Sequence, residues 1–271
     1  MATVFKKSGR IIYESTVLQN QMVGPNTFLL TIDYPTQNEP ILALGRFARL
    51  RAWPYPPFAC GPLLDRPFSI HKSTENSLQF LIRCVGPSTA ILSNLTARQS
   101  IEFLGPLGRG LDLVYPDYKK TPWYLAAGGA GLGPMATIKE NLEARLFYGE
   151  RTKENQVSAD WLSSWAGDFV AACDDGSGYG FKGPVTGPLA EALEKEKRPV
   201  FACGPPLMLK AISDICRMAK VPFLASAEAF MGCGLGVCLS CSMPKKSGGR
   251  IKICCDGPVV DGRAINFETL T

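Results

Sequence analysis

Short runs of apolar residues, separated by turn residues, fill the chain from residue 11 to residue 113. The runs at residues 27–32 and 78–85 contain β-branched and aromatic side chains, which favour strands. No helical period of 3.6 residues is clear in this part of the sequence. The pattern therefore predicts a small antiparallel β-barrel, with an extended loop at Pro54, Pro56 and Pro57.

The pattern changes after a polar, proline-flanked stretch at residues 116–122. An apolar run at residues 123–127 leads directly into a glycine-rich segment, which predicts a strand, a turn and then a helix. Further buried strands are predicted at residues 144–148, 168–172 and 199–202. Segments able to form helices separate them, so the pattern predicts an α/β domain with a mostly parallel sheet.

A third part begins near Val221, where the chain becomes rich in cysteine and glycine. This part is too short to form a large core of its own. The predicted fold is therefore multi-domain, with a β-barrel at residues 1–118, an α/β domain at residues 119–222 and a small C-terminal domain at residues 223–271.

Charge and composition narrow the function classes. The formal net charge is +5, but the lysines and arginines are scattered, which gives no case for binding nucleic acid. No apolar stretch approaches the roughly 20 residues needed to cross a bilayer, and the first ten residues lack the apolar core of a secretion signal. We therefore expect a cytoplasmic protein that does not insert into membranes.

Five of the ten cysteines crowd near the C-terminus. Without a secretion signal, such a cluster favours metal or redox chemistry over disulfides. The spacing Cys233-x4-Cys238-x2-Cys241, followed by Cys254, is typical of a plant-type [2Fe–2S] site. Glycines at positions 232, 234 and 236 would let the loop turn its N–H groups toward the sulfurs.

Two alternatives stay open at this site. Four cysteines also suit structural zinc, although zinc sites usually place their ligands as two close pairs. Cys255 competes with Cys254 as the fourth ligand, which we expect on a β-hairpin. Because neighbouring residues of a strand face opposite sides, only one of the two can point at the cluster.

Two segments of the predicted barrel have the chemistry of a flavin site. In the first, Arg66 can hold a pyrophosphate, Phe68 can lie against an isoalloxazine ring and Ser69 can bond the ring edge. In the second, a strand end at residues 81–83 precedes Gly86-Pro-Ser-Thr89, where a helix N-terminus and the Thr89 hydroxyl suit a diphosphate. An ordinary capped helix explains the second segment equally well.

The α/β part has two candidate nucleotide loops, each following a predicted strand. The first is the glycine-rich segment at residues 128–133, with a helix predicted from Pro134; the second is Cys203-Gly-Pro-Pro206. Both favour a nicotinamide nucleotide. Glu150 and Arg151 favour opposite choices between NAD and NADP.

Two other features have simpler explanations. His71, the one histidine, has no carboxylate or nucleophile placed beside it, so we expect a hydrogen-bonded structural residue. The Asp174-Asp-Gly-Ser177 segment looks like a carboxylate pair, but a turn is the stronger interpretation. No side chain of this chain is expected to act as a catalytic acid, base or nucleophile.

Taken in order, these motifs resemble the electron-transfer subunits of NAD-dependent (B-type) dihydroorotate dehydrogenases, within the ferredoxin–NADP reductase-like superfamily. The resemblance runs along nearly the whole chain and rests on residues 66–69, 128–133, 174–177, 203–205, 231–241 and 254–259. It implies an FAD-binding barrel, an NAD-binding α/β domain and a [2Fe–2S] domain that docks on an FMN-containing catalytic subunit. Two copies of each subunit would form a heterotetramer.

The resemblance also implies site residues. The last cluster ligand of the family directly precedes x-Asp-Gly-Pro, which selects Cys254 over Cys255. The implied FAD contacts are Arg66, Pro67, Phe68, Ser69, Leu81, Ile82, Arg83, Ser88 and Thr89. The implied NAD contacts are Gly128, Gly129, Gly131, Gly133, Cys203, Gly204 and Pro205, and NAD rather than NADP follows from the family.

The function implied is to carry electrons from the partner's FMN through the cluster and FAD to NAD+, in pyrimidine biosynthesis. Related subunits of a sulfhydrogenase or of an NADH-dependent ferredoxin:NADP oxidoreductase are the nearest alternatives. The latter family tends to have Asp where Cys233 stands, so the full cysteine set favours the dihydroorotate branch. An alternative of another class is a zinc-stabilised binding module without enzymatic activity.

Overall fold

The computed structural model describes residues 4–7, 10–34, 43–53, 62 and 64–267. Its strands fall into two seven-stranded sheets and one two-stranded hairpin. The predicted loop at Pro54, Pro56 and Pro57 lies outside the described residues.

The first sheet is antiparallel and closes on itself in the order β1-β2-β3-β6-β5-β4-β7, because β7 also pairs with β2. This confirms the predicted barrel, with β1 as an added edge strand. Its strands are β1 (Val4–Lys7), β2 (Arg10–Gly24), β3 (Thr27–Asp33), β4 (Phe47–Arg51), β5 (Arg66–Ser73), β6 (Ser77–Arg83) and β7 (Ser100–Leu107).

Alternation along the strands fills the barrel. Phe28, Leu30 and Ile32 of β3 are fully buried in its core, together with Phe80 of β6. Alternate residues of a strand point to the same face, so this period of two places every second side chain inside. The short helix α1 (Pro87–Ser93) follows β6 and adds Leu92 to the same core.

The second sheet has the order β11-β10-β9-β8-β12-β13-β16, and every pairing in it is parallel except that of β13 with β16. This confirms the predicted α/β domain. Its strands are β8 (Trp123–Gly128), β9 (Ala144–Glu150), β10 (Phe169–Cys173), β11 (Phe181–Lys182), β12 (Val200–Cys203), β13 (Phe223–Ser226) and β16 (Val259–Asp261).

Helices connect these strands and cover the sheet. The glycine-rich segment forms a 3₁₀ turn, Gly129–Leu132, and helix α3 (Met135–Asn141) follows it, as the sequence predicts. The remaining helices of the described residues are α2 (Leu111–Val114), α4 (Ala159–Ala166), α5 (Thr186–Lys195), α6 (Pro206–Ala219), α7 (Ile253–Asp256) and a second 3₁₀ turn at Lys153–Asn155.

The C-terminal part is less separate than the predicted boundary after residue 222 implies. Strand β13 lies inside the α/β sheet, and β16 returns to pair with it. Between them lies the cysteine-rich loop, the hairpin of β14 (Ser242–Pro244) and β15 (Arg250–Lys252), and α7. Met243, Ile253 and Cys254 share one apolar core with the α/β domain, because so short a segment cannot bury enough apolar surface alone.

None of the helices among the described residues combines the length and the apolar character that a bilayer-spanning segment requires.

Candidate cofactor sites

A cavity of about 430 Å³ lies between the barrel and the α/β domain and is lined by residues of both. Strands β5 and β6 run antiparallel, so the first residues of β5 and the last residues of β6 meet at one end of the barrel, facing this cavity. From the predicted sites, the structure brings together Pro67, Phe68, Ser69, Leu81, Ile82, Arg83, Thr89 and Gly133 in its lining. An aromatic ring beside two aliphatic side chains and a serine suits a flat, edge-polar ring such as a flavin.

Two predicted FAD residues lie behind this lining. The Arg66 guanidinium donates to the Ser88 hydroxyl at 3.1 Å, so these two residues bond each other and do not line the cavity.

Thr89 has a structural role beside the cavity. Its hydroxyl accepts from the Val85 and Gly86 N–H groups at 2.9 and 3.0 Å and donates to the Gly86 carbonyl. Thr89 therefore builds the loop before α1 while its side chain borders the cavity.

The two nucleotide loops meet at the carboxyl ends of β8 and β12. Gly128, Gly129, Gly131, Gly204 and Pro205 line a second cavity of about 200 Å³. An added Cβ on Gly131 would lie 2.0 Å from the Cys203 carbonyl oxygen, so only glycine permits this approach. The crevice outside the carboxyl ends of parallel strands is where open α/β sheets bind nucleotides.

Cys203 itself is not in the cavity lining. It is completely buried, and burial raises the pKa of its thiol well above the ordinary value. Its Sγ lies 3.9 Å from Oε1 of Glu228, which lines both the first and the second cavity. The Cys203 backbone packs against Gly131, and Glu228 rather than Cys203 is the residue that faces the cavities.

Arg83 is the side chain common to all three cavities at this junction, the third being a cleft of about 550 Å³ that continues along the sheet edge. Its guanidinium forms an ion pair with Glu150, the last residue of β9, and donates to the Asn155 carbonyl at 3.2 Å. The Tyr148 hydroxyl donates to the same carboxylate at 3.0 Å. Glu150 is therefore already engaged by two donors, whereas Arg151 is exposed in the cleft.

The residues present fit a dinucleotide with phosphates. Arg83 lines both the flavin cavity and the cleft, and its Nε is buried without a hydrogen-bond partner. A buried donor of this kind costs free energy unless a ligand satisfies it, and guanidinium is well suited to phosphate.

The cluster loop turns N–H groups toward sulfur, as expected for a [2Fe–2S] site. Gly234 and Gly236 adopt positive φ angles of 72° and 78°, which place these groups inside the loop. The N–H···Sγ contacts are Leu235 to Cys233 at 3.3 Å, Cys238 to Cys233 at 3.5 Å, Gly236 to Cys254 at 3.0 Å and Cys254 to Cys241 at 3.5 Å.

The four predicted ligands differ in exposure. Cys238 is exposed, and hydrogen bonds from the Ser240 hydroxyl and backbone lower the pKa of its thiol to about 6. Cys241 and Cys254 are buried, and burial raises the pKa of Cys254 to about 12. No three His, Cys, Asp or Glu side chains within the described part of the chain are grouped closely enough to hold one metal ion.

The prediction that the fourth ligand lies on a β-hairpin was wrong. Cys254 and Cys255 lie in the helical turn α7, after the β14–β15 hairpin rather than on it. Cys254 points into the core, where it is 2% exposed, and accepts from Gly236. Cys255 is half-buried and also lies near Gly236, on which an added Cβ would come within 2.8 Å of the Cys255 Sγ. Side chains one position apart on a helix diverge by about 100°.

Several lining residues were not among the predicted cofactor contacts, although Met231 and Pro258 lie in the two cysteine motifs. Ser226, Ala227, Glu228, Met231 and Pro258 border the flavin cavity from the α/β and C-terminal parts. The position of Glu228 just after a buried strand was the available signal, since ligands gather at such strand ends.

Comparison with known proteins identifies the family. Residues 228–266 match the model described as the iron-sulfur cluster binding domain of dihydroorotate dehydrogenase B. A protein of Desulforamulus reducens named dihydroorotate dehydrogenase B (NAD(+)), electron transfer subunit, is 34% identical over 272 residues, which cover 95% of this chain and 99% of the relative.

The chain belongs to the family of dihydroorotate dehydrogenase B electron-transfer subunits.

Other comparisons agree with this family. The protein of the same name from Clostridium acetobutylicum is 32% identical over 249 residues, which cover 91% of this chain and 94% of that protein. The structure of an NADH-dependent reduced ferredoxin–NADP oxidoreductase superposes with a TM-score of 0.78 at 22% identity, covering 94% of this chain and 91% of that one. That likeness establishes a shared fold. The match to an iron–sulfur cluster binding domain supports the predicted cluster over the zinc alternative, and NAD(+) stands in the names of both relatives.

The two simpler interpretations from the sequence agree with the geometry. Asp175 accepts from the Ser177 backbone N–H and hydroxyl at 2.8 and 2.7 Å, so Asp174-Asp-Gly-Ser177 forms a turn. His71 is buried, with its Nδ1 2.8 Å from the Gly133 carbonyl oxygen and its ring against Trp161 and Trp165. This hydrogen bond therefore connects β5, which carries residues of the flavin cavity, to the glycine-rich loop.

This connection should make stability depend on pH. Burial lowers the pKa of His71 from 6.5 to about 4. Between these values the unfolded chain binds a proton that the folded chain excludes, so acidification destabilises the fold. The free energy of unfolding should fall by about 3 kcal/mol more in the wild type than in His71→Asn, whose amide keeps a donor near the Nδ1 position but cannot titrate. Chemical denaturation from pH 7 to pH 4 would measure this, and parallel curves for the two proteins would contradict it.

Proposed function

We propose that this chain accepts electrons from an FMN-containing dihydroorotate dehydrogenase subunit at its [2Fe–2S] cluster and delivers them through FAD to NAD+. Within this proposal, the cluster ligands are Cys233, Cys238, Cys241 and Cys254. The FAD contacts are the predicted residues that line the first cavity, and the NAD contacts are the predicted glycines and Pro205 that line the second. A heterotetramer of two copies of each subunit and a cytoplasmic location remain predictions.

One observation carries the proposal. A single cavity is lined by all three parts of the chain: Phe68 and Ser69 of the barrel, Gly133 of the α/β domain, and Met231 and Pro258 of the C-terminal part. Met231 lies two residues before the first cluster ligand. A flavin held there would lie between a nucleotide crevice and the cluster loop.

The chain's own residues would hold the cofactors and exclude water. Apolar Phe68, Leu81 and Ile82 would cover the ring system, while the Arg83 guanidinium would face phosphate. Bound FAD would interconvert the hydride of a nicotinamide and the single electrons of a cluster. The glycines at 128, 129 and 131 leave room for the nucleotide backbone at the strand ends.

The exposed side of the cluster loop supports contact with a protein partner. Phe230, Val237 and Leu239 are 71%, 75% and 60% exposed, and the last two flank the exposed ligand Cys238. We call these three residues the apolar rim. Exposed apolar side chains around a functional group are typical of an interaction site, and electrons from the partner would enter the cluster on this side.

The proposal is tested on the purified, anaerobic chain carrying FAD and cluster. Addition of NADH should bleach both the flavin and the cluster absorption bands, because the electron path lies within this chain. The FMN-containing catalytic subunit should then bind it, protect the backbone amides around the apolar rim from hydrogen exchange, and support NADH formation from dihydroorotate and NAD+.

The possible failures are distinct. If NADH bleached neither band, the proposed electron path would be wrong. If NADH bleached both but the catalytic subunit neither bound nor supplied electrons, the path would stand and the partner would be wrong. In that case a ferredoxin or hydrogenase partner would become the better candidate.

A further inference from the structure

Arg49 is a buried cation in the middle of β4. All five residues of this strand are buried. Ala48 and Leu50 belong to the barrel core, so alternation turns Arg49 to the outer face of the barrel, as it does Phe47, which packs in the core of the α/β and C-terminal parts. The side chain of Arg49 is only 6% exposed. Burying a guanidinium is unfavourable unless its charge and donors are used.

The Arg49 side chain contacts the cluster loop. Arg49 Nη1 donates to the carbonyl oxygen of Cys233 at 2.5 Å, across 184 positions of sequence. An added Cβ on Gly234 would lie 2.7 Å from Arg49 Cδ, so the methylene stem lies directly against the loop. The guanidinium and its stem therefore hold the backbone at the first cysteine of the set and at the residue after it.

The nearby carboxylate does not fully occupy Arg49. Asp65 Oδ1 lies 3.1 Å from Nη1 of Arg51, but its other oxygen is 3.8 Å from Nη2 of Arg49, beyond hydrogen-bond distance. Arg49 Nη2 donates instead to the Asp65 backbone carbonyl at 3.3 Å, and its Nε is buried without a hydrogen-bond partner. Arg49 and Arg51 thus share one carboxylate, so the Arg49–Asp65 ion pair leaves a net positive charge beside the cluster loop.

The position of β4 links the loop to the flavin cavity. In the register of β4 with β5, Arg49 lies opposite Pro67 and Phe47 opposite Ser69. Phe47, Pro67 and Ser69 all line the flavin cavity. The paired strands β4 and β5 thus carry both the residues that line the flavin cavity and the contact to the cluster loop.

We propose that Arg49 is a positioning residue for the iron–sulfur cluster that raises its reduction potential and fixes the loop relative to the flavin cavity. Reduction adds one electron, and hence one negative charge, to the oxidised cluster. A buried cation beside the loop stabilises the reduced form more than the oxidised form, and the effect is strong where water is excluded. The inference rests on the proposed ligand set at Cys233, Cys238, Cys241 and Cys254.

The test is a redox titration of holoprotein carrying FAD and cluster, with dithionite as electron donor, followed by absorption and by electron paramagnetic resonance. At the wild-type midpoint, Arg49→Met should lower the ratio of reduced to oxidised cluster at least threefold, which corresponds to about 28 mV for a one-electron couple. Arg49→Lys keeps the charge and should shift the ratio by less. Arg46→Met removes a cation paired with Asp112 instead and should leave the ratio unchanged.

Iron, sulfide and FAD contents decide how the result is interpreted. A variant Arg49→Met that retains its cluster with an unchanged midpoint would overturn the proposal. Loss of the cluster from both Arg49 variants would also overturn it, since Arg49 would then only support the fold of the loop. A wild-type protein without a cluster would instead refute the proposed function, so the two failures are distinguishable.

Discussion

Replacing Cys254 by alanine is expected to abolish the iron–sulfur cluster, whereas replacing Cys255 by alanine is expected to leave it intact. Cys254 is buried, accepts a hydrogen bond from Gly236 and donates its backbone N–H to Cys241. Cys255 Sγ lies 3.9 Å from the Lys252 carbonyl oxygen and 3.8 Å from Oδ1 of Asp256. Iron analysis should show about two atoms per chain in wild type and Cys255→Ala, and almost none in Cys254→Ala.

The same pair of variants separates the cluster from the flavin. Neither cysteine lines the flavin cavity, so FAD content and the bleaching of FAD by NADH should survive in both proteins. Electron delivery to or from the catalytic subunit should disappear in Cys254→Ala alone. Loss of the cluster in Cys255→Ala but not in Cys254→Ala would show that the other neighbour is the ligand.

The second large effect is expected for Gly131→Ala. The added Cβ would lie 2.0 Å from the Cys203 carbonyl oxygen and 2.8 Å from the Gly204 nitrogen, which are backbone atoms that cannot rotate away. The two nucleotide loops would have to separate. We expect a loss of at least about 3 kcal/mol in the free energy of unfolding, the upper end for overpacking, and at least a tenfold weaker affinity for NADH.

Gly187→Ala is the matched control. Gly187 lies in the first turn of α5, and its added Cβ would meet the Phe181 ring at 3.5 Å, an ordinary contact distance. Alanine also has the higher helix propensity, so this variant should be neutral or slightly more stable. Thermal unfolding and NADH titration of both variants provide the measurement. Equal behaviour of the two proteins would refute the close packing of the nucleotide loops.

The cluster and the barrel were predictable because their sequence signals lie within short stretches of the chain. A [2Fe–2S] loop needs three thiols and flexible glycines within a few residues, so Cys233, Cys238 and Cys241 are visible in the sequence itself. Alternation of apolar and polar residues predicts strands, and an apolar run that ends in a glycine turn predicts the helix after Pro134. The remaining choice, between Cys254 and Cys255, required the family, because adjacent residues satisfy the same spacing.

Contacts between distant segments were not predictable in this way. Arg83 and Glu150 are 67 positions apart, and each is an ordinary charged residue at a strand end until the barrel and sheet meet. The sequence pattern places Arg66 and Thr89 at a flavin, but the structure also gives them partners in Ser88 and in the loop before α1. Hydrogen bonds of this kind depend on distances that spacing does not encode.

The sheet types, the order of the parts and the cysteines that can ligate a cluster follow from the sequence alone, because they depend on side-chain period and short loop geometry. Where the parts join depends on the tertiary structure. It returned β16 to the α/β sheet, directed Cys254 rather than Cys255 into the core, and placed Arg49 against Cys233. Those outcomes arise because a short segment must share its neighbours' core and a buried charge must find a partner, wherever in the chain that partner lies.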